Sequence, residues 1–166
     1  LRNVALVAHS GAGKTSLADA MFFAAGQVNR LGRVDDQTSS SDFEPEEQKR
    51  GASMQTAVLP CPWKGNKINV LDTPGYADFR GDMLSGLRVV DAAILLVSAP
   101  AGIEVGADQA WEACAKRGLP RMIVVNKLDR ENTNFRSVLE ALVNKWGRHC
   151  VAVQAPNGAE SSFSGV

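Results

Sequence analysis

The chain has 166 residues, 45% of them hydrophobic, enough to bury a core for one soluble α/β domain without covalent staples. Its 18 basic and 18 acidic residues cancel, which excludes a strong electrostatic footprint for nucleic acid, and direct DNA binding is not expected. No run approaches the ~18 apolar residues of a membrane span and no secretory leader is visible, while Cys61, Cys114 and Cys150 lack metal spacing; the expectation is reduced thiols, a cytoplasmic location and no membrane partner.

A first strand is predicted over Asn3–Val7. Ala8-His9-Ser10-Gly11-Ala12-Gly13-Lys14-Thr15 follows it and opens into an amphipathic helical pattern, a context that reads as a phosphate-binding loop. Glycines let successive N–H groups point at phosphate oxygens, Lys14 reaches the β and γ phosphates, and the Thr15 hydroxyl can ligate Mg²⁺. Expected nucleotide contacts therefore run through Ser10, Gly11, Ala12, Gly13, Lys14, Thr15 and Ser16. Ala8 departs from the usual glycine, which leaves a coincidental Gly/Lys turn as the alternative until further motifs are counted. His9 is read as a structural residue satisfying backbone groups in a tight loop, ahead of a phosphate or water contact.

The stretch from Arg33 to Gly51 is long and polar and breaks the alternation of apolar elements. Such a loop is functional or disordered: a nucleotide-responsive switch or a solvated acidic linker. Glu44, Glu46 and Glu47 within it read as a solvated face rather than a catalytic pair. Strands are predicted at Met54–Leu59 and Lys67–Leu71, joined as a hairpin through Trp63-Lys64-Gly65-Asn66. Asp72-Thr73-Pro74-Gly75 ends the second of them. Asp72 there can hold Mg²⁺, usually through water, and the N–H of Gly75 can approach a γ-phosphate closely enough to sense it. Alone, the tetrapeptide is also an ordinary turn.

Further strands are predicted at Ala92–Val97 and Arg121–Val125. A helix over about Val105–Arg117 should bury Ala110, Trp111 and Cys114 and stop at Gly118, ahead of Pro120. After the last strand comes Asn126-Lys127-Leu128-Asp129. Asp129 can accept from the ring N–H and the exocyclic amine of guanine, the Lys127 stem can lie along the base plane, and Asn126 can tie this loop to the phosphate loop. Adenine would leave the carboxylate unpaired, a mismatch that polar sites punish by ~10⁴ or more. In series with the other two motifs, this one points to GTP rather than ATP. A helix over Asn132–Trp146 shows Phe135, Val138, Leu139, Leu142, Val143 and Trp146 at helical spacing. Trp111 and Trp146 read as core, Trp63 as a hairpin residue. The alternation implies a mainly parallel sheet with one antiparallel edge strand, helices on both faces, and ligand loops at the carboxyl ends of the strands.

Ala8-His9 with Ala12-Gly13-Lys14-Thr15, Asp42-Phe43 with Glu47 and Arg50-Gly51, Asp72-Thr73-Pro74-Gly75 with Asp78-Phe79, Gly102 with Glu104-Val105, and Asn126-Lys127-Leu128-Asp129-Arg130 together resemble the amino-terminal GTP-binding domain of elongation factor G or an elongation-factor-G-like paralogue. The resemblance implies an α/β P-loop GTPase domain. It makes residues 1–149 the GTP-binding core, with switch I at about 34–53 and switch II at about 72–85, and residues 150–166 the truncated start of an inserted subdomain. The chain begins at Leu1 and ends at Val166 without a closing helix, so it reads as cut from something longer whose later domains are absent.

The resemblance further implies GTP/GDP and Mg²⁺ as bound species, and a monomer whose ribosome contacts lie largely outside this segment. The implied reaction is hydrolysis of Mg-GTP to GDP and phosphate, coupled to a translation step such as translocation. By the same resemblance Ser53 takes the place of the switch threonine that ligates Mg²⁺ beside Thr15 and Asp72. The catalytic set becomes Lys14, Gly75 and Tyr76. Tyr76 stands where the family usually has a water-orienting histidine, and a phenol with an ordinary pKa near ~10 is no easy base at neutral pH. Gly11, Ser10 and Ala52 also depart from the family around the point of water attack, so slow hydrolysis is expected. A GTP-loaded ribosome-binding factor with little turnover, and a release-factor or ribosomal-protection type of GTPase, are the alternatives.

Overall fold

Period-two alternation along the first strand divides the core in two. In strand β1 (Arg2–Ala8), Ala5 and Val7 face one hydrophobic cluster while Leu6 and Ala8 face the other. A strand apolar on both faces belongs in the middle of a sheet covered on both sides. In the computed structural model, which describes residues 1–166, β1 is the centre of five strands. The order is β2 (Ala57–Trp63), β3 (Asn66–Asp72), β1, β4 (Ala92–Ser98) and β5 (Arg121–Asn126). β1 pairs in parallel with β3 and β4, β4 pairs in parallel with β5, and β2 alone runs antiparallel, at the edge beside β3. The expected fold class is the observed one.

Helix α1 (Lys14–Ala24) covers one face, placing Ala18 with Leu6, Leu59, Val70 and Leu96. A short helix α2 (Pro45–Arg50) interrupts the polar loop that follows it. The other face carries α3 (Arg80–Gly86), α4 (Val105–Lys116) and α5 (Phe135–Trp146), whose Met83, Ala110, Cys114, Val138, Leu142 and Trp146 enclose Val7, Leu95 and Val97. No helix is long and apolar enough to cross a membrane.

Four details differ from the sequence reading, each for a local reason. Strand β2 starts at Ala57 rather than Met54, because the Glu47 carboxylate accepts the N–H groups of Met54 at 2.8 Å and Gln55 at 3.1 Å and keeps them out of the ladder. It then runs on through Pro60 and Pro62, which an edge strand tolerates because their missing N–H groups cost no interior ladder bond. Helix α5 starts at Phe135 rather than Asn132: Asn132 has a left-handed backbone (φ 60°), and Asn134 caps the helix by accepting the Ser137 N–H at 3.2 Å. Trp111 is only partly buried, stacked on Trp146 with ring centroids 4.5 Å apart, with the Arg121 guanidinium carbon 3.8 Å from its ring centroid.

The fourth difference is the segment 34–53. It holds α2 and buries Ser39, Ser41, Asp42 and Glu47. Glu46 is on the surface, paired with Arg50 at 2.8 Å one turn on, and Glu44 is exposed. Glu47 was expected on a solvated face and is instead 3% exposed, because it is the residue of α2 that turns inward to receive the chain entering β2.

Core depth sets the cost of truncation. Leu96→Ala, at a site 0% exposed, is expected to lower stability by about 2–5 kcal/mol in urea titration. Val58→Ala, 57% exposed on β2, should stay within about 0.5 kcal/mol of the parent.

Candidate nucleotide site

The carboxyl ends of β1, β3 and β5 bring the three motifs together. After Ala8 the backbone turns through Gly11 (φ 76°) and Gly13 (φ 96°), left-handed conformations that favour glycine, and α1 begins at Lys14. Gly13 has a second reason to lack a side chain. A Cβ there would collide with the amide nitrogen of Asn126, which donates to the Ala12 carbonyl at 2.9 Å. The loop after β5 is thereby tied to the loop after β1.

Lys14 is 6% exposed and its ammonium donates to the His9 carbonyl at 3.2 Å. Burial pulls its pKa below the ordinary lysine value, with the charges of Asp72 and Asp42 opposing the shift. The Asp72–Gly75 turn packs directly against it. A Cβ at Gly75 would collide with the Lys14 ammonium and stand 2.9 Å from the Cα and N of Ser10. Thr73, fully buried, donates from its hydroxyl to the Leu6 carbonyl at 2.7 Å and locks the start of this turn to β1.

Beside Lys14 lies a set of buried oxygens, several of them without hydrogen-bond partners. Asp72 is 1% exposed and neither of its carboxylate oxygens is paired. Burial pushes its pKa up to about 6 from the ordinary 3.8, with the nearby Thr15 hydroxyl and then the charge of Lys14 opposing the rise. Thr15 Oγ1 is 3.0 Å from Ser53 Oγ, and the Ser53 hydroxyl donates to Asp42 Oδ1 at 2.6 Å. Asp42 Oδ2 and Ser41 Oγ are also buried without partners. Burial raises the Asp42 carboxyl above its ordinary value, with the Ser53 hydroxyl opposing and the charges of Glu47 and Asp19 adding to the rise. No three His, Cys, Asp or Glu side chains form a closed cage. Two hydroxyls with orphaned carboxylate oxygens instead suit a hard divalent cation that keeps waters and takes phosphate oxygens, as Mg²⁺ does.

The remaining candidates lie on the loops after β1, β3 and β5, at the start of α1 and after α2. Ser10 faces Gly75, Gly11 and Ser16 are exposed, and Ala12 is buried under the loop. Lys127 adopts a left-handed backbone (φ 63°), and Asp129 presents a side chain 62% exposed. Tyr76 is half-exposed at the mouth of a cleft shared with His9, Arg80, Met83, Val105 and Gly106. Ala52 follows α2 and donates its N–H to the Glu47 carbonyl at 3.1 Å. His9 has a structural place: Nδ1 accepts the Gly106 N–H at 3.3 Å and Nε2 lies 3.5 Å from Glu104 Oε1, joining the loop after β1 to the start of α4.

Several residues acquire a part here that no motif announces. Thr133 donates to the carbonyls of Leu128 (3.1 Å) and Arg130 (2.9 Å), bracing the loop of Asp129 from within. Glu160 braces it from the C-terminal segment, donating its N–H to the Leu128 carbonyl at 2.9 Å and accepting the Asn132 N–H at 2.7 Å. Asp42 was part of a recognisable pattern without a role. Its bond to Ser53 spans eleven residues and α2, which spacing does not reveal.

Comparison with known proteins agrees with this geometry. Residues 1–162 match the family model described as the elongation factor Tu GTP binding domain. Elongation factor G of Fervidobacterium nodosum is 37% identical over all 166 residues, which cover 24% of that protein. Elongation factor G of Thermotoga petrophila is 38% identical over the same span and 24% of its length, and elongation factor G 2 of Borreliella afzelii 37% over 25%. A solved structure from Thermus thermophilus superposes with a TM-score of 0.92 at 37% identity, covering 98% of this chain and 24% of that one. The chain thus spans about a quarter of the length of these relatives. With the family model matched across nearly its whole length, the chain belongs to the elongation factor Tu GTP-binding-domain family of translational GTPases.

Proposed function

We propose that this domain binds Mg-GTP and hydrolyses it to GDP and phosphate as part of a cytoplasmic, monomeric ribosome-associated factor, coupling turnover to a translation step such as translocation. The observation that carries this reading is the buried, unpartnered Asp72 carboxylate set among Lys14, Thr15 and Ser53, with Gly75 packed against Lys14. An unpaired buried carboxylate is costly unless a cation joins it. Mg²⁺ bound here would neutralise charge on the β- and γ-phosphates as the bond to the leaving group breaks. Thr15, Ser53 and Asp72 are the residues that would hold it, Asp72 through water. Lys14 draws charge from the same phosphates. The Gly75 N–H meets the γ-phosphate because no Cβ keeps Ser10 and Lys14 away. Backbone N–H groups of residues 10–16 receive the remaining phosphate oxygens at the start of α1. Asn126, Lys127 and Asp129 select guanine by the donor pattern of its edge.

Water positioning is the weak point of this site. Tyr76 offers a half-exposed phenol where a base or strong acceptor would serve, so we propose that it limits the rate of hydrolysis rather than nucleotide affinity. Relatives named elongation factor G support the ribosomal setting. The half-exposed phenol also favours a second reading, a GTP-loaded ribosome binder with little turnover.

Tyr76→His in the full-length protein is expected to raise ribosome-stimulated single-turnover hydrolysis by about 10²-fold or more, with GTP affinity unchanged. Parent turnover already as fast as that of the variant would overturn the rate-limiting role. Asp129→Ala should weaken GTP binding by about 10²-fold or more and narrow the preference over ATP, read by titration with fluorescent nucleotides.

The raised Asp72 pKa gives a pH dependence. With the folded value at about 6 and the ordinary value 3.8, the neutral carboxyl is the form the fold by itself favours. Its contribution to stability is full below the ordinary value and is lost as pH rises through about 6. A divalent cation reverses that preference. The rise in Tm produced by Mg²⁺ with GDP is therefore expected to be largest above about pH 6 and to shrink below it, with Asp72→Asn flattening the profile.

A further inference from the structure

Asp19 is a buried carboxylate that the nucleotide chemistry above does not use. It lies on α1 one turn beyond Thr15 and is 1% exposed. Its Oδ1 accepts the Ser40 N–H at 2.8 Å, and Oδ2 has no partner. Between residues 30–42 and α1, this is the single hydrogen bond. Gly32 makes it possible. A Cβ at Gly32 would stand 2.9 Å from Asp19 Cγ and 2.9 Å from the Thr38 carbonyl, so what glycine supplies here is space.

The bond sits at a joint in the segment. On its N-terminal side a turn is closed twice, Thr38 N–H to the Arg33 carbonyl at 3.0 Å and Arg33 N–H to Thr38 Oγ1 at 3.1 Å. On its C-terminal side Ser39 Oγ accepts the N–H groups of Ser41 at 3.1 Å and Asp42 at 3.3 Å. Asp42 then takes the Ser53 hydroxyl at 2.6 Å, and Ser53 reaches Thr15 at 3.0 Å. The circuit leaves α1 at Asp19 and returns to it at Thr15.

We propose that Asp19 is a positioning residue that clamps the first half of switch I onto α1, so that Asp42 and Ser53 are presented to Thr15 in the triphosphate state. The proposal rests on reading residues 34–53 as a nucleotide-responsive switch. The clamp acts through the switch and touches no nucleotide atom. Its loss therefore falls on the state that needs the switch ordered.

The test uses the full-length protein with Mg²⁺, a fluorescent non-hydrolysable GTP analogue and fluorescent GDP, and reads nucleotide release and tryptic cleavage after Arg33. In the parent, the GTP analogue should slow cleavage after Arg33 relative to GDP. Asp19→Ala is expected to speed release of the GTP analogue by about tenfold, to leave GDP release within about twofold, and to remove the protection of Arg33. Asp19→Asn keeps an acceptor for Ser40 and should restore both readouts. Gly32→Ala crowds the carboxylate and Thr38 without deleting either, and should reproduce the Asp19→Ala behaviour; it carries the test if Asp19→Ala does not fold. Equal acceleration of both nucleotides, or no change in either variant, overturns the clamp. A parent in which neither nucleotide protects Arg33 overturns the switch reading and the clamp with it, a result distinct from a protected parent with unaffected variants.

Discussion

The site depends on the burial of one carboxylate. Asp72 ends β3, and the parallel register of β1 with β3 sets it opposite Leu6, two residues before the phosphate loop begins. Neither oxygen is paired, and an unpaired buried charge is among the costliest features a fold can carry. Thr73 holds the next residue to the Leu6 carbonyl, so Asp72 has no freedom to swing out to water. Lys14 is buried against the same carboxylate with its own pKa pulled down. Burial drives both shifts, raising Asp72 and lowering Lys14, and the charge of each group opposes the shift of the other.

Around this centre the packing leaves little room. Gly13 and Gly75 are each pressed against a polar side chain, Asn126 in one case and Lys14 in the other. The loops after three different strands are therefore in direct contact. Movement of the Gly75 turn must move with Lys14 and Ser10, and displacement of the phosphate loop is felt by Asn126 and the Asp129 loop behind it. The 34–53 segment joins through Ser53 and Thr15. The loops after β1, β3 and β5 and the 34–53 segment are thus linked through direct contacts.

Much of this was legible in the residues themselves. The three motifs, the parallel order with one antiparallel edge and the two-faced core all follow from apolar periodicity and from glycine, lysine and aspartate at fixed offsets. What the sequence missed lies in contacts between distant residues. Glu47 looks like its charged neighbours and is instead the inward acceptor that delays β2. Asp19 looks like an ordinary helix carboxylate and is instead buried against Ser40. Trp111 fits the apolar face of α4 by spacing, yet it is partly exposed because its partners, Trp146 and Arg121, come from α5 and β5.

The sequence by itself determined the three motifs and the family they mark, because each is a short run of residue types at fixed offsets that spacing suffices to read. It also determined the strand alternation, since period two is a local property of the pleat. Only the tertiary structure decided which carboxylates are buried and what they hold. Burial is a sum over neighbours from the whole chain, and Asp19, Asp42, Glu47 and Asp72 differ in surroundings rather than in kind.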